Sequence, residues 1–82
     1  LGAAHAWVAA VLRVVVAGVN ESRRQGVLRL RELAQKDQGV AVELTEGSWW
    51  SELLRQVDVG EVRAAVVAEL AEEGEGGLRR AC

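Results

Sequence analysis

Few side chains in this sequence combine the type and the neighbours that chemistry requires. The 82 residues include one histidine, His5, and one cysteine, Cys82. A cysteine–histidine zinc site needs about four such ligands, and a disulfide within the chain needs two thiols. We therefore expect no metal, no cofactor and no internal disulfide. We interpret His5 as a satisfied or helix-end histidine on an apolar helix, because no acid or cysteine lies within two turns of it.

The usual patterns for nucleophilic catalysis and phosphate binding are also missing. The sequence has no G-x-S-x-G and no Walker motif, and the glycines in residues 74–77 follow a predicted helix rather than a strand. For Cys82 we expect only disulfide-linked dimers formed on handling. We predict that the chain is not an enzyme and has no catalytic residues.

Adjacent tryptophans are the most specific candidate for binding, because tryptophan is enriched at interface hot spots. Neighbours on a helix point about 100° apart, so one ring is expected in the core and the other at a groove or interface. The alternative, both rings buried in a wide core, remains open. If Trp50 is the exposed ring, its replacement by alanine should weaken binding more than folding. The predicted partner-binding residues are Trp49, Trp50, Leu53, Leu54, Arg24 and Arg31.

Charge points away from nucleic acid and membranes. The formal net charge is −2, with six basic and three acidic residues in 1–41 and four basic and nine acidic in 42–82. This balance gives no overall positive field for phosphates or anionic lipid. The two halves are complementary, which favours internal pairing or head-to-tail association. We expect another protein as partner, with a homo-oligomer as a further possibility, and a cytoplasmic location.

Hydrophobic periodicity predicts the helices that must position these residues. Residues 3–16 are almost wholly apolar and fall short of the ~20 residues of a membrane span, so they predict a buried core helix. Asn20 is a good N-cap for a helix over 21–36. Residues 39–45 alternate in polarity, and we interpret them as a short helical turn or an extended connector.

Two further helices complete the predicted order. Ser48 is expected to cap a helix that begins at Trp49, and Asp58 to cap the last long helix, whose acids, including Glu69, mostly face solvent. The glycines in 74–77 predict its end. The sequence thus predicts an all-α fold, either a bundle of four to five helices or two stacked helical hairpins, with one domain over 1–73 and a glycine-rich terminator and tail over 74–82.

A weak internal repeat accompanies this pattern. Residues 7–18 and 49–60 are similar, and each is followed by a helix that closes on Glu-Leu-Ala. The second of these helices, EVRAAVVAELA at 61–71, resembles the second helix of armadillo and HEAT-type repeats, and residues 21–34 are a looser copy. That resemblance implies stacked helix pairs forming a solenoid, which binds partners along a concave groove.

These features together predict a protein-interaction or assembly module with an apolar, tryptophan-bearing helical surface. It would be a segment of a helical-repeat scaffold if the resemblance holds. The alternative is a self-associating helical bundle in which the apolar first helix forms the seam between copies.

Overall fold

The computed structural model describes the backbone of residues 3–81 and the side chains of residues 5–72. Within those residues it contains five helices and no strand, which confirms the all-α prediction. The helices are α1 (Ala3–Gly18), α2 (Glu21–Lys36), α3 (Gln38–Leu44), α4 (Ser48–Gln56) and α5 (Val59–Ala81).

Short polar side chains cap the starts of three helices: Asn20 at α2, Asp37 at α3 and Asp58 at α5. The Asn20 carboxamide oxygen accepts a hydrogen bond from the Arg23 backbone N–H at 3.2 Å, as predicted for α2. Asp58 does the same for the Glu61 backbone N–H at 3.1 Å at the start of α5. Each cap satisfies a backbone donor that the first helical turn leaves unpaired. These local signals fix where the chain turns.

Helix α1 lies at the centre of the fold and packs against all four other helices. Val8, Val11 and Leu12 are almost completely buried, and they contact side chains that include Trp50 and Val62. A helix that is apolar on nearly every side is stable only where other elements cover it. The prediction of a buried first helix is confirmed.

Two local predictions need correction in the middle of the chain. Residues 38–44 form α3, because Asp37 accepts hydrogen bonds from the backbone N–H groups of Gly39 at 2.8 Å and Val40 at 3.3 Å. The extended alternative is therefore wrong. Ser48 is the first residue of α4 rather than its cap, and Gly47 occupies the N-cap position without a side-chain hydrogen bond.

The glycine-rich segment is also different from the prediction. Helix α5 continues through residues 74–77 to Ala81, so these glycines do not end it. Interior glycine costs a helix about 1 kcal/mol relative to alanine but does not break it, and the surrounding Glu, Leu, Arg and Ala favour helix. Residues 74–81 are therefore a continuation of α5 rather than a terminator, while Cys82 lies outside the described residues.

Candidate interaction surface

The two adjacent tryptophans point in different directions, as the helix geometry predicts. Trp50 is buried at 5% exposure and belongs to the core, whereas Trp49 is 39% exposed. Their rings meet edge to face, with centroids 5.9 Å apart and planes 77° apart. The sequence left open which ring is exposed; Trp50 is the buried one, so Trp49 is the ring available for contact and the condition for the Trp50→Ala binding test is not met. The reason is that Trp50 shares the core-facing side of α4 with Leu53 and Val57.

Gly47 is what allows the Trp49 ring to lie where it does. A Cβ placed on Gly47 would fall 2.5 Å from Trp49 Cδ1 and 2.8 Å from Trp49 Nε1. The indole is therefore folded back against the backbone of the N-cap residue. Only a residue without a side chain permits this approach, because real Cβ atoms do not come closer than about 3 Å to other heavy atoms.

The leucines of α4 do not form one surface with the tryptophans. Leu53 is half-buried against the core, while Leu54 is 37% exposed. At 100° per residue Leu54 lies about 140° around the helix from Trp49, on the opposite flank of the buried stripe. The four predicted contact residues of α4 thus divide into two that support the fold and two that face solvent on separate sides.

A cluster of charged side chains joins α1, α2 and α5 in the interior. Glu69 is only 2% exposed, and its carboxylate accepts hydrogen bonds from Arg31 Nε at 3.1 Å, Arg31 Nη2 at 2.8 Å and Gln35 Nε2 at 2.7 Å. Arg13 Nη1 lies 3.1 Å from the same carboxylate. The expectation that Glu69 faces solvent is wrong. A buried carboxylate is tolerated here because cations from two other helices compensate it.

Glu72 completes this cluster at its solvent edge. It accepts a hydrogen bond from Arg13 Nη2, and its second oxygen lies 3.6 Å from Arg31 Nη2. Two arginines and two glutamates make the cluster neutral. Pairing between the basic first half and the acidic second half of the sequence is thus internal at these four residues.

The arginines predicted to set register with a partner have other positions. Arg31 is 19% exposed, and its guanidinium is occupied by Glu69 and Glu72, so it is not free to meet a partner's acid. Arg24 is half-buried on the same face of α2, and its Nε is buried without a hydrogen-bond partner among the described residues. The prediction that Arg31 faces a partner is therefore wrong, because an internal acid holds it.

His5 lies in the first turn of α1, which agrees with the helix-end interpretation but not with a satisfied histidine. It is 5% exposed, and both ring nitrogens are buried without a hydrogen-bond partner among the residues whose side chains are described. No described acid or hydroxyl reaches it, because the neighbouring side chains of α1, Ala6 and Val8 to Leu12, are apolar and buried.

The outer face of α5 is the largest apolar feature that sequence reasoning missed. Val59, Val67 and Leu70 are 72%, 68% and 50% exposed, more than any other large apolar side chain described. At 100° per residue the three lie within about 80° of one another. This face, which we call the outer α5 face, also includes the exposed Ala64 and Ala71.

The spacing of valine and leucine along α5 could have indicated this face from the sequence. The buried side of α5 is made by Val62, Ala65 and Glu69, roughly 120° around the helix from the outer α5 face. A helix packed on one side normally carries a single apolar stripe. Apolar residues at 59, 67 and 70, outside the stripe through 62 and 65, are the excess that marks a second face.

Other kinds of site find little support in the described part of the chain. No three His, Cys, Asp or Glu side chains gather there in a metal-binding group, and none of its helices is both long and apolar enough to cross a bilayer. A surface cleft of about 330 Å³ is lined by residues of a single helix, α2: Gln25, Leu28, Arg29, Arg31 and Glu32.

Comparison with known proteins adds no relative: no family model, no curated protein and no solved structure matches the chain. The resemblance to armadillo and HEAT-type repeats therefore stays a prediction.

Proposed function

We propose that this chain is a protein-interaction or assembly module that binds through an apolar helical surface and has no catalytic role. The observation that carries the proposal is the outer α5 face, where at least half of the surface of Val59, Val67 and Leu70 is exposed to solvent. Contiguous apolar side chains on a stable helix are typical of surfaces that another protein covers.

Packing within the fold leaves this face free. Among the described contacts, α5 packs substantially on α1 alone, through Val62, Ala65 and Glu69. On the acidic side of the helix, Glu61 is exposed to solvent, while Glu72 pairs with Arg13 and Arg31. Among the described residues, the outer α5 face thus has no covering element, and covering it removes apolar area from water.

Trp49 is a second contact point in the proposal. Its indole is 39% exposed and held against Gly47, which limits the rotamer freedom lost on binding. Trp50 and Leu53 support α4 from beneath rather than touch a partner. Leu54 is exposed on the other flank of α4 and would contact a partner only if that partner wraps around the helix.

The alternative, a self-associating bundle with the first helix as seam, stays a second candidate with less surface to support it. Helix α1 packs against the other four helices, and most of its apolar side chains are buried, although Trp7 is 42% exposed; a seam between copies would therefore use Trp7 rather than the buried side of α1. A segment of a helical-repeat scaffold remains part of the proposal, since such scaffolds also bind by helical faces. A cytoplasmic location belongs to it as well, supported only by the single cysteine.

Site-specific photocrosslinking tests the proposed surface directly. Benzoylphenylalanine is placed at position 67 on the outer α5 face or at position 42, where Val42 of α3 is also exposed at 44%. We expect covalent adducts in the native host cells from position 67 and few from position 42. An absence of adducts from position 67, or equal yields from both positions, would contradict the proposal.

A further inference from the structure

The most regular apolar pattern in α5 is not the side that faces the core. Four aliphatic residues follow one another there at steps of three and four positions: Val59, Val62, Val66 and Leu70. This spacing places them on one stripe about 80° wide, which ends before Glu73 and which we call the apolar stripe. Such a stripe normally packs against neighbouring helices. In the fold, however, Val59 is 72% exposed and Leu70 is 50% exposed, so the apolar stripe is only half covered.

Helix α5 is instead turned so that smaller and polar residues face the core. Its buried positions are Val62, Ala65 and Glu69. At 100° per residue, the centre of this buried side lies about 70° around the helix from the centre of the apolar stripe. Turning α5 by that angle would cover Val59 and Leu70 and uncover Ala65. Burial of apolar area alone favours the turned setting, so another interaction must select the observed one.

The charged cluster around Glu69 supplies that interaction. The Glu69 carboxylate is 2% exposed, accepts hydrogen bonds from Arg31 Nε and Nη2, and lies 3.1 Å from Arg13 Nη1. Hydrogen bonds depend on direction, whereas apolar burial does not. The cluster therefore distinguishes between two rotational settings of α5 that both bury apolar side chains. In coiled coils, a single buried polar residue selects the register of the helices in the same way.

We propose that Glu69, Arg13 and Arg31 form a rotational lock, which fixes the setting of α5 about its own axis. The lock keeps Val59 and Leu70 exposed to solvent. It deepens the proposed function and rests on it, because these two residues belong to the outer α5 face. Glu69 is a positioning residue in this arrangement and touches no partner. Without the lock, α5 turns by about 70°, packs its apolar stripe on the core and withdraws Val59 and Leu70 from the surface.

Methyl NMR of the full chain tests the lock, because NOEs between methyl groups report which side of α5 contacts α1. The test variant is Arg13→Leu/Arg31→Leu, which leaves the buried Glu69 without its cations and offers α5 an apolar surface. In the parent chain we expect strong NOEs from Ala65 to methyl groups of α1 and weak or no NOEs from Leu70. In the variant we expect the reverse, with Leu70 gaining these NOEs and Ala65 losing them.

The matched control is Arg23→Leu/Arg55→Leu, which replaces two exposed arginines outside the cluster and should keep the parent pattern. If the test variant gives an unfolded spectrum, Arg31→Leu alone is read by the same criteria.

Three results would overturn the lock. The first is a folded variant that keeps the parent pattern, and the second is one in which Ala65 and Leu70 both lack NOEs to α1. The third is an unfolded spectrum from both variants, because the cluster would then be required for folding rather than for the choice of setting. These NOEs need no partner. The lock can therefore fail while adducts from position 67 still support the interaction module, and the module can fail while the NOEs support the lock.

Discussion

Glu69 shows how one residue can hold three helices in register. Glu69 belongs to α5, and its carboxylate accepts hydrogen bonds from Arg31 and Gln35 of α2. It also forms an ion pair with Arg13 of α1. The desolvation of a buried carboxylate is large, so the residue is stabilising only while these donors stay in place. The same geometry that makes the cluster tolerable makes it sensitive to the loss of any partner.

We expect Glu69→Ala to lower the free energy of unfolding by about 3–5 kcal/mol, because it leaves two partly buried arginines without their shared acid. The matched change Glu72→Ala, at a half-exposed carboxylate, should cost about 1 kcal/mol or less. Urea denaturation followed by circular dichroism measures both. Equal losses for the two variants would show that burial does not set the strength of the cluster.

The tryptophan pair provides a second comparison at this scale. Trp50→Ala removes a core ring and should lower stability by about 3–5 kcal/mol. Trp49→Ala removes a partly exposed ring and should cost about 1 kcal/mol or less. Thermal or urea unfolding distinguishes them. In a Trp7→Phe background, which removes the third, 42% exposed tryptophan, the fluorescence that survives in Trp49→Ala comes from the buried Trp50 and should be blue-shifted. A larger loss from Trp49→Ala would reverse the assignment of buried and exposed rings.

At the scale of elements, α5 has two roles: one side packs against the core, and the other side is available to a partner. Its inner side completes the core with Val62 and Ala65 and positions Glu69. Its outer side is apolar but uncovered, so stability and association draw on different residues of one helix. Substitutions on the outer α5 face should therefore change assembly with little effect on folding.

The continuation of α5 through its glycines predicts a specific response to substitution. Gly76→Ala should increase the helical ellipticity at 222 nm, and any change in stability should be a gain of up to about 1 kcal/mol, because alanine is the better helix former. At a terminating glycine with a left-handed backbone, alanine would instead be unfavourable. No described glycine has a positive φ. A loss of ellipticity in Gly76→Ala would show that the helix ends at this segment.

At the scale of the whole molecule, some of the opposite charges of the two halves of the sequence form ion pairs within the fold. Arg13 and Arg31 from the first half pair with Glu69 and Glu72 from the second. These pairs orient α5 on α1 and α2 rather than attract a partner. Binding of a partner therefore depends mainly on apolar side chains, so we expect the affinity to depend little on salt concentration.

We expect binding through the outer α5 face to respond weakly to salt. Raising the ionic strength from about 0.05 to about 0.5 M screens exposed charges but leaves apolar burial intact. The yield of photocrosslinked adducts from position 67 in a host-cell lysate should change by less than about threefold, since only Arg63 carries charge within the face. Loss of the adducts at high salt would show that charged contacts, and not the outer α5 face, hold the partner.

The local sequence already predicted much of the fold. Asn20 and Asp58 mark the starts of α2 and α5 because capping depends on residues three positions apart. The apolar run in α1 predicted its burial because hydrophobicity on nearly every side of a helix is also a property of the local sequence. The candidate site was harder: the pair Trp49 and Trp50 was found, but which ring is buried depends on what packs against α4.

The sequence by itself determined the helical class, the central burial of α1 and the division of the tryptophan pair, because each follows from spacing along one helix. Only the tertiary structure decided that Glu69 is interior, that Arg31 is occupied and that the outer α5 face is uncovered. These properties depend on residues far apart in the chain: Arg31 and Glu69 meet across 38 positions. Periodicity describes the faces of a helix, whereas packing determines which of those faces remain in contact with water.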